Sequence, residues 1–362
     1  MSFAMVIILT GALTAISCAL VGSFLVLRRV AMVGDAISHS VLLGIVAVFW
    51  LTGGSRNEIL MAIGAGAVGL LTVFLIELVR NSGRVREDAA IGLVFPVLFS
   101  VGVIMVSRFP QTVHLDVQHV LYGEIAFAPL RRLELFGSDV GYRSLWVLGG
   151  MALINLLFVT LFFKELKIST FDPGLAATLG FVPVALHYGL MGLVSATTVV
   201  AFDSVGAILV VAMLIVPGAT AYLLTDRLGV MIAIACGVGG SSAWGGYLVA
   251  RAADASIAGA MATVAGGILL VAVLASPRHG VIVRLWRRAS LKRRFDVRLL
   301  VAHLANGVEP DHLAEQFRWR PATVRRTLGL ALRDGYVERH DGGGLAVTPA
   351  GTALAAGSDV RA

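Results

Sequence analysis

The stretch LRRVAMVGDAISHSVLLGIVAVF, residues 27–49, decides how the chain is read. It leaves one long apolar run, passes a pair of arginines and re-enters apolar sequence at once. That pattern is the connection between two helices, followed by the second of them. Inside the second helix stand an aspartate, Asp35, and a histidine, His39. Residues four apart share a helix face, with Cβ atoms about 5–6 Å apart, so both side chains can reach one point. An aspartate at the centre of a membrane helix costs about 2.5–3.5 kcal/mol on insertion scales, and such a group is a functional residue by default. A carboxylate oxygen with an imidazole nitrogen suits manganese, iron(II) or zinc better than calcium or copper(I). A hydrogen bond that merely locks two helices would use the same residue types and stays open beside the metal reading. Two ligands fall short of the roughly four to six such ions take. A two-fold dimer would bring a second pair to the axis.

Working outward, the 362 residues are 57% hydrophobic and only 14% charged, with mean hydropathy +0.87. A soluble domain carries about a quarter charged residues, so the composition is that of a polytopic membrane protein. Apolar runs fall at 3–27, 36–52, 59–79, 89–107, 144–163, 178–200, 204–224, 229–250 and 256–275. Most approach the ~20 residues that cross the hydrocarbon core, which gives eight or nine membrane helices. No lysine or arginine precedes Arg28, so the first run is expected to be a retained helix and not a signal peptide. If the helices alternate, twelve lysines and arginines fall on one side and six on the other. That bias places the N-terminus outside and the C-terminus in the cytoplasm. Cys18 and Cys236 lie in separate apolar runs and read as small packing residues.

Two connections carry further signals. The longest outer one, 108–143, mixes polar and apolar residues and is expected to lie along the membrane interface; its His114 and His119 read as solvated more than as a metal trap. On the other side, KELKISTFDPGLAATLG (164–180) holds a helix start, with Asp172 at the cap and Pro173 in the first turn, and a stop at Gly180. A short capped helix there suits docking to a partner. The chain contains three lysines, and none follows a glycine. A phosphate-gripping G-x-x-x-x-G-K-[ST] loop is therefore absent from the sequence. Transport would then be passive, ion-coupled, or driven by another subunit, and the chain is not expected to be an enzyme.

Residues 27–49 closely resemble the signature of the permease subunits of bacterial manganese, zinc and iron ABC transporters. The resemblance continues through REDAAIGLVFPVLFSVGVI, LYGEI, KELKISTFDPGLAATLG and AFDSVGAILVVAMLIVPGATAYLLTDRLG, and so covers about residues 5–285. It implies a homodimeric permease in the bacterial plasma membrane with cytoplasmic ATPase subunits and an extracytoplasmic metal-binding protein as partners. The transported ion, manganese ahead of iron or zinc, would be substrate, with no cofactor bound permanently. Asp35 and His39 match the family's ligand pair in the ion path. Phe171, Asp172, Pro173 and Leu175 fall in its ATPase-coupling segment. The chain departs from the family pattern at Leu43, where a proline is frequent, and at Glu124, where an aspartate is. Neither change removes a proposed ligand. A permease for a siderophore or cobalamin chelate, a secondary transporter and a membrane-anchored metal-responsive transcription regulator are the competing expectations.

Composition shifts near residue 288, dividing the chain into a permease domain (1–288) and a cytoplasmic domain (289–362). The tail holds 11 basic and 8 acidic residues. Its order is an amphipathic helix in FDVRLLVAHLANG, a second in EPDHLAEQF, a third in RPATVRRTLGLALRDG, two strands around DGGG and a last short helix. This reads as a small α+β winged helix-turn-helix, and VTPAG resembles the DNA-binding domains of metal-dependent repressors. By that resemblance Arg320, Arg325 and Arg326 would line the third helix and Arg339 the wing. The small net charge limits phosphate binding, so protein contact is favoured over DNA.

Overall fold

A computed structural model of the chain describes residues 2–53, 57–108, 125–135, 138–276, 280–307, 319–339 and 345–356. The chain divides into two compact units, Met1–Arg278 and His279–Ala362. In chain order the first unit holds α1 (Phe3–Leu27), α2 (Met32–Leu51), α3 (Glu58–Asn81) and α4 (Glu87–Ser107). A 3₁₀ turn (Ile125–Leu130) and strands β1 (Arg132–Leu135) and β2 (Ser138–Tyr142) follow. Then come α5 (Arg143–Leu161), α6 (Phe163–Phe171), α7 (Pro173–Thr178), α8 (Pro183–Val205), α9 (Ala207–Leu224), α10 (Leu228–Ala253) and α11 (Ile257–Ala275). Among the described residues, nine of these helices are long and apolar enough to cross a membrane. All except α6 and α7 qualify, and the chain is a multi-pass membrane protein.

The bundle is built around α1, which packs against α5, α8, α9 and α10. Val6, Ala15, Val21, Phe24 and Leu25 are fully buried, and a helix apolar on every face belongs in the centre. Apolar area cannot by itself select neighbours in lipid, because lipid tails are as apolar as leucine; close backbone approach and polar contacts do. Gly22 of α1 lies so near α9 that a Cβ there would run into the carbonyl oxygen of Leu214. Gly44 of α2 meets the backbone of Gly64 in α3 in the same way. Hydrogen bonds between helices add specificity. Thr10 and Ser144 share one at 3.1 Å. Asn155 donates from Nδ2 to the Ser17 carbonyl at 3.1 Å and to Thr197 Oγ1 at 2.8 Å, tying α5 to α1 and α8. Thr72 Oγ1 donates to Ser40 Oγ at 2.7 Å and ties α3 to α2. Each such bond is worth roughly 0.6 kcal/mol in a bilayer. Leu93, Val97 and Ile104 of α4 and Leu153, Leu157 and Leu161 of α5 point outward, as lipid contact requires.

Several boundaries move from their sequence positions. The helix placed at 178–200 spans Pro183–Val205, because Pro183 fixes the first turn. A single residue, Gly206 at φ 82°, separates α8 from α9, a backbone region open to glycine. The segment after α4 holds two antiparallel strands, pairing Arg132 with Tyr142, which the sequence reading of 108–143 did not anticipate. The alternation of Arg132, Leu133, Glu134 and Leu135 is its period-2 signal. His114, His119 and Glu124 lie outside the described residues.

In the second unit, α12 (Val281–Ala305) runs unbroken through residue 288. The compositional boundary therefore falls inside a helix, since charged residues such as Lys292, Arg293 and Arg294 are good helix formers. It is followed by α13 (Pro321–Arg333), strands β3 (Val337–Arg339) and β4 (Leu345–Val347) paired antiparallel, and α14 (Pro349–Ala356). Val297, Leu300 and Val301 of α12 cluster with Ala331 and Val337 in a small core. The helix expected in EPDHLAEQF lies outside the described residues. The described part of this unit is thus three helices and one antiparallel pair of three-residue strands, which does not by itself show the winged helix expected from the sequence.

The Gly22 contact makes a sharp expectation. Gly22→Val should destabilise the bundle by about 1–3 kcal/mol, the range for overpacking a filled interior, while Gly66→Ala, which meets open space, should change little. Thermal unfolding of both variants in detergent checks this.

Candidate functional site

Asp35 lies in the first turn of α2, where a carboxylate faces the positive end of the helix dipole. His39 follows one turn later. Asp35 Oδ1 and His39 Nε2 are 3.5 Å apart, and the side chains are 32% and 36% exposed. The pair is thus half open and not sealed into the core. The His39 ring stacks on Phe95 of α4, with centroids 5.8 Å apart and planes at 29°, and meets the edge of Phe99 at 6.1 Å. Those two rings fix the imidazole plane and hold its Nε2 on the Asp35 side. The backbone beneath is pinned by Ser40, held by Thr72 of α3. Oxygen and nitrogen lone pairs converge here, which is chemistry for a borderline divalent cation. Among the described residues no group of three or more His, Cys, Asp or Glu side chains gathers at one point.

The 164–180 segment folds as two short helices, α6 and α7, where one had been expected. Asp172 Oδ1 accepts from the Leu175 amide at 2.9 Å, with Pro173 next in the chain at the first helical position. Gly180 at φ 86° ends the element. The carboxylate of Asp172 is thereby committed to capping α7. Leu166 and Ala176 are buried and anchor the segment, while Phe171 (63% exposed) and Leu175 (50%) stand out from it. Leu179, Val182 and Val184, next in the chain, are exposed as well. Sequence reading stopped at Gly180 and missed them, although the run LGFVPV carried the signal.

A second polar cluster gathers at the ends of several helices; its Arg28 and Arg80 count among the basic residues that set the expected topology, while Glu77 and His187 drew no expectation. Arg28 caps α1 and donates from Nε to Thr170 Oγ1, from Nη2 to Ser169 Oγ and from Nη1 to His187 Nδ1, each at 3.1 Å. His187 Nε2 lies 2.6 Å from Glu77 Oε1, which also faces Arg80 at 3.6 Å. Burial lowers the Arg28 guanidinium below its ordinary pKa, because desolvation disfavours the charged form. Glu77 inside the apolar run 59–79 was the available signal, by the same rule that singled out Asp35.

In the second unit Arg320 stands at the N-cap of α13, Arg325 and Arg326 lie on it, and Arg339 ends β3. All four are exposed.

The sequence signature of the ABC 3 transport family matches residues 1–276. The manganese transport system membrane protein MntD of Bacillus subtilis is 50% identical over 293 residues, which is 81% of this chain and 99% of that one. The zinc transport system membrane protein TroD of Treponema pallidum is 45% identical over 360 residues, 97% of each chain. It therefore extends through the second unit. Among solved structures, PsaBC from Streptococcus pneumoniae, in complex with Fab, superposes with a TM-score of 0.63 at 29% identity, covering 77% of this chain and 94% of that chain.

Proposed function

The chain belongs to the ABC 3 transport family, and from that membership we propose that it is the permease subunit of an ATP-driven importer of divalent transition-metal ions. The observation that carries the reading is the half-open Asp35–His39 pair in the first two turns of a membrane helix. Manganese is placed first and iron or zinc next. Support comes from the ligand chemistry and from the manganese and zinc systems to which MntD and TroD belong. Two copies of the chain form a homodimer, and the ion path runs near the two-fold axis. There the second Asp35–His39 pair raises the protein ligands to four, and water fills the remaining positions. The chain hydrolyses no ATP. A separate cytoplasmic ATPase supplies the energy, and an extracytoplasmic metal-binding protein delivers the ion.

The exposed apolar patch of Phe171 and Leu175 is the surface on which the ATPase docks. Asp172 and Pro173 keep α7 folded so that the patch is presented. This places the α6–α7 side and the C-terminal unit in the cytoplasm and the N-terminus outside the plasma membrane. The C-terminal unit is a winged-helix module that contacts a protein, with Arg320, Arg325, Arg326 and Arg339 on its exposed surface. The helix–hairpin–helix order of α13, β3, β4 and α14 supports that reading, and the modest net charge argues against DNA.

Three outcomes follow. Asp35→Ala and His39→Ala should each reduce ATP-driven manganese uptake into proteoliposomes by at least about tenfold, the effect of losing one charged ligand contact, with insertion unchanged. Normal uptake by both variants would remove the ligand assignment. Phe171→Asp or Leu175→Asp places a charge in an apolar contact and should abolish ATPase co-purification or leave hydrolysis running without uptake. An intact, fully coupled complex would move the docking surface elsewhere. A chain truncated after Ser276, where the family signature ends, should still insert and take up metal; loss of transport would make the second unit part of the transport core.

A further inference from the structure

The cluster around Arg28 joins the docking segment to three membrane helices, and its hydrogen-bond polarity is set by chemistry alone. A guanidinium only donates, so the His187 Nδ1 beside Arg28 must accept. The neutral ring then carries its proton on Nε2 and donates it to Glu77 Oε1. A doubly protonated ring would set an N–H against the guanidinium. The chain of bonds thus runs one way, from Arg28 through His187 to Glu77. Its members close α1, open α8 and end α3. The other two Arg28 bonds hold Ser169 and Thr170, the last polar side chains of α6 before the capped helix α7.

The chain also runs directly from this cluster to the helix that carries the proposed ligand pair. Arg29, next to Arg28, has φ 63°, a left-handed turn that few side chains adopt. Three residues later α2 begins, with Asp35 in its first turn. The Thr72–Ser40 bond aligns α3 with α2. Glu77 lies five residues after Thr72 and Asp35 five before Ser40, so each is roughly 7.5 Å along its helix from that contact. In consecutive antiparallel spans these displacements have the same direction, so Glu77 of the Arg28 cluster and Asp35 share one level of the bundle, with His39 one turn further along α2.

We propose that Arg28 is a positioning residue for transport: it clamps the end of α6 to the α1–α2 turn, so that movement of the α6–α7 docking segment shifts Asp35 and His39. Three donors in one planar fork make the coupling stiff. Ser169 and Thr170 cannot move away from α1 without leaving a half-buried cation short of acceptors, so the turn moves with them. His187 and Glu77 hold the opposite edge of the fork and fix its orientation. The proposal rests on the transport reading above.

The test uses the complete transporter, with its ATPase and metal-binding protein, in proteoliposomes. Manganese uptake and ATP hydrolysis are measured in the same vesicles, and manganese binding is measured on the purified permease. Arg28→Ala should assemble, bind manganese and support hydrolysis, yet lose at least about tenfold in manganese carried per ATP, as expected when a charged hydrogen-bond hub is removed. Arg28→Lys, a point charge unable to span three acceptors, should recover only part of that ratio. His187→Gln can still accept from Arg28 and donate to Glu77, so its ratio should stay near wild type, whereas His187→Leu should lose it. A wild-type ratio in Arg28→Ala overturns the clamp. Should Arg28→Ala fail to assemble, the His187 pair decides, and equal ratios in the Gln and Leu variants overturn it. A wild-type complex that carries no manganese, iron or zinc defeats the transport reading itself, which is a different result from wild-type transport with an unchanged ratio in Arg28→Ala.

Discussion

Hydrocarbon offers no hydrogen bonds, and every backbone polar group placed in it must find a partner within the protein. The first unit is organised by that constraint. Apolar contact fills the space between helices but selects no neighbour, because lipid would serve as well. The polar contacts do the selecting. Asn155 joins α5 to α1 and α8, Thr72 joins α3 to α2, and the Arg28 cluster joins α1, α3, α6 and α8. Where glycine removes the side chain, as at Gly22 against Leu214, the backbones come close enough for dispersion to add to these bonds.

The same constraint separates two carboxylate–imidazole pairs that look alike in composition. Glu77 and His187 are 2.6 Å apart and 12% and 20% exposed, flanked by Arg28 and Arg80. Positive charge already surrounds that pair, and a metal ion would be repelled. Asp35 and His39 are 3.5 Å apart, about a third exposed, and neighboured by aromatic rings. Among the described residues, no lysine or arginine forms an ion pair with them. A structural pair and a proposed ligand pair thus differ in what surrounds them, not in residue type.

The proposed docking segment shows how a short element is held in place. A six-residue helix is far below the length at which a helix is stable in water. Asp172 supplies one missing acceptor at its start, Ala176 and Leu166 anchor it from below, and Phe171 and Leu175 are left outside. An apolar patch of this kind at the end of a membrane bundle is costly unless another surface covers it, which is the physical ground for assigning it to the ATPase.

Much of this was legible in the sequence. Nine apolar runs of bilayer length state the number of candidate spans, because hydropathy and the 1.5 Å rise leave little else for them to do. The Asp35–His39 spacing needs only helix periodicity, and the Asp172–Pro173 cap needs only local backbone chemistry. Long-range partnership was not legible. Arg28 lies 141 residues from Ser169 and 159 from His187, and no local rule pairs them. The hairpin at 132–142 and the continuous α12 were missed because weak alternation and good helix formers are ambiguous without neighbours. Sequence alone determined that the chain crosses a membrane and places two ionisable groups on one helix face, since both follow from periodicity within a single segment. Only the tertiary structure decided which of the buried ionisable groups are satisfied by one another and which are left open, because that depends on the packing of helices remote in the chain.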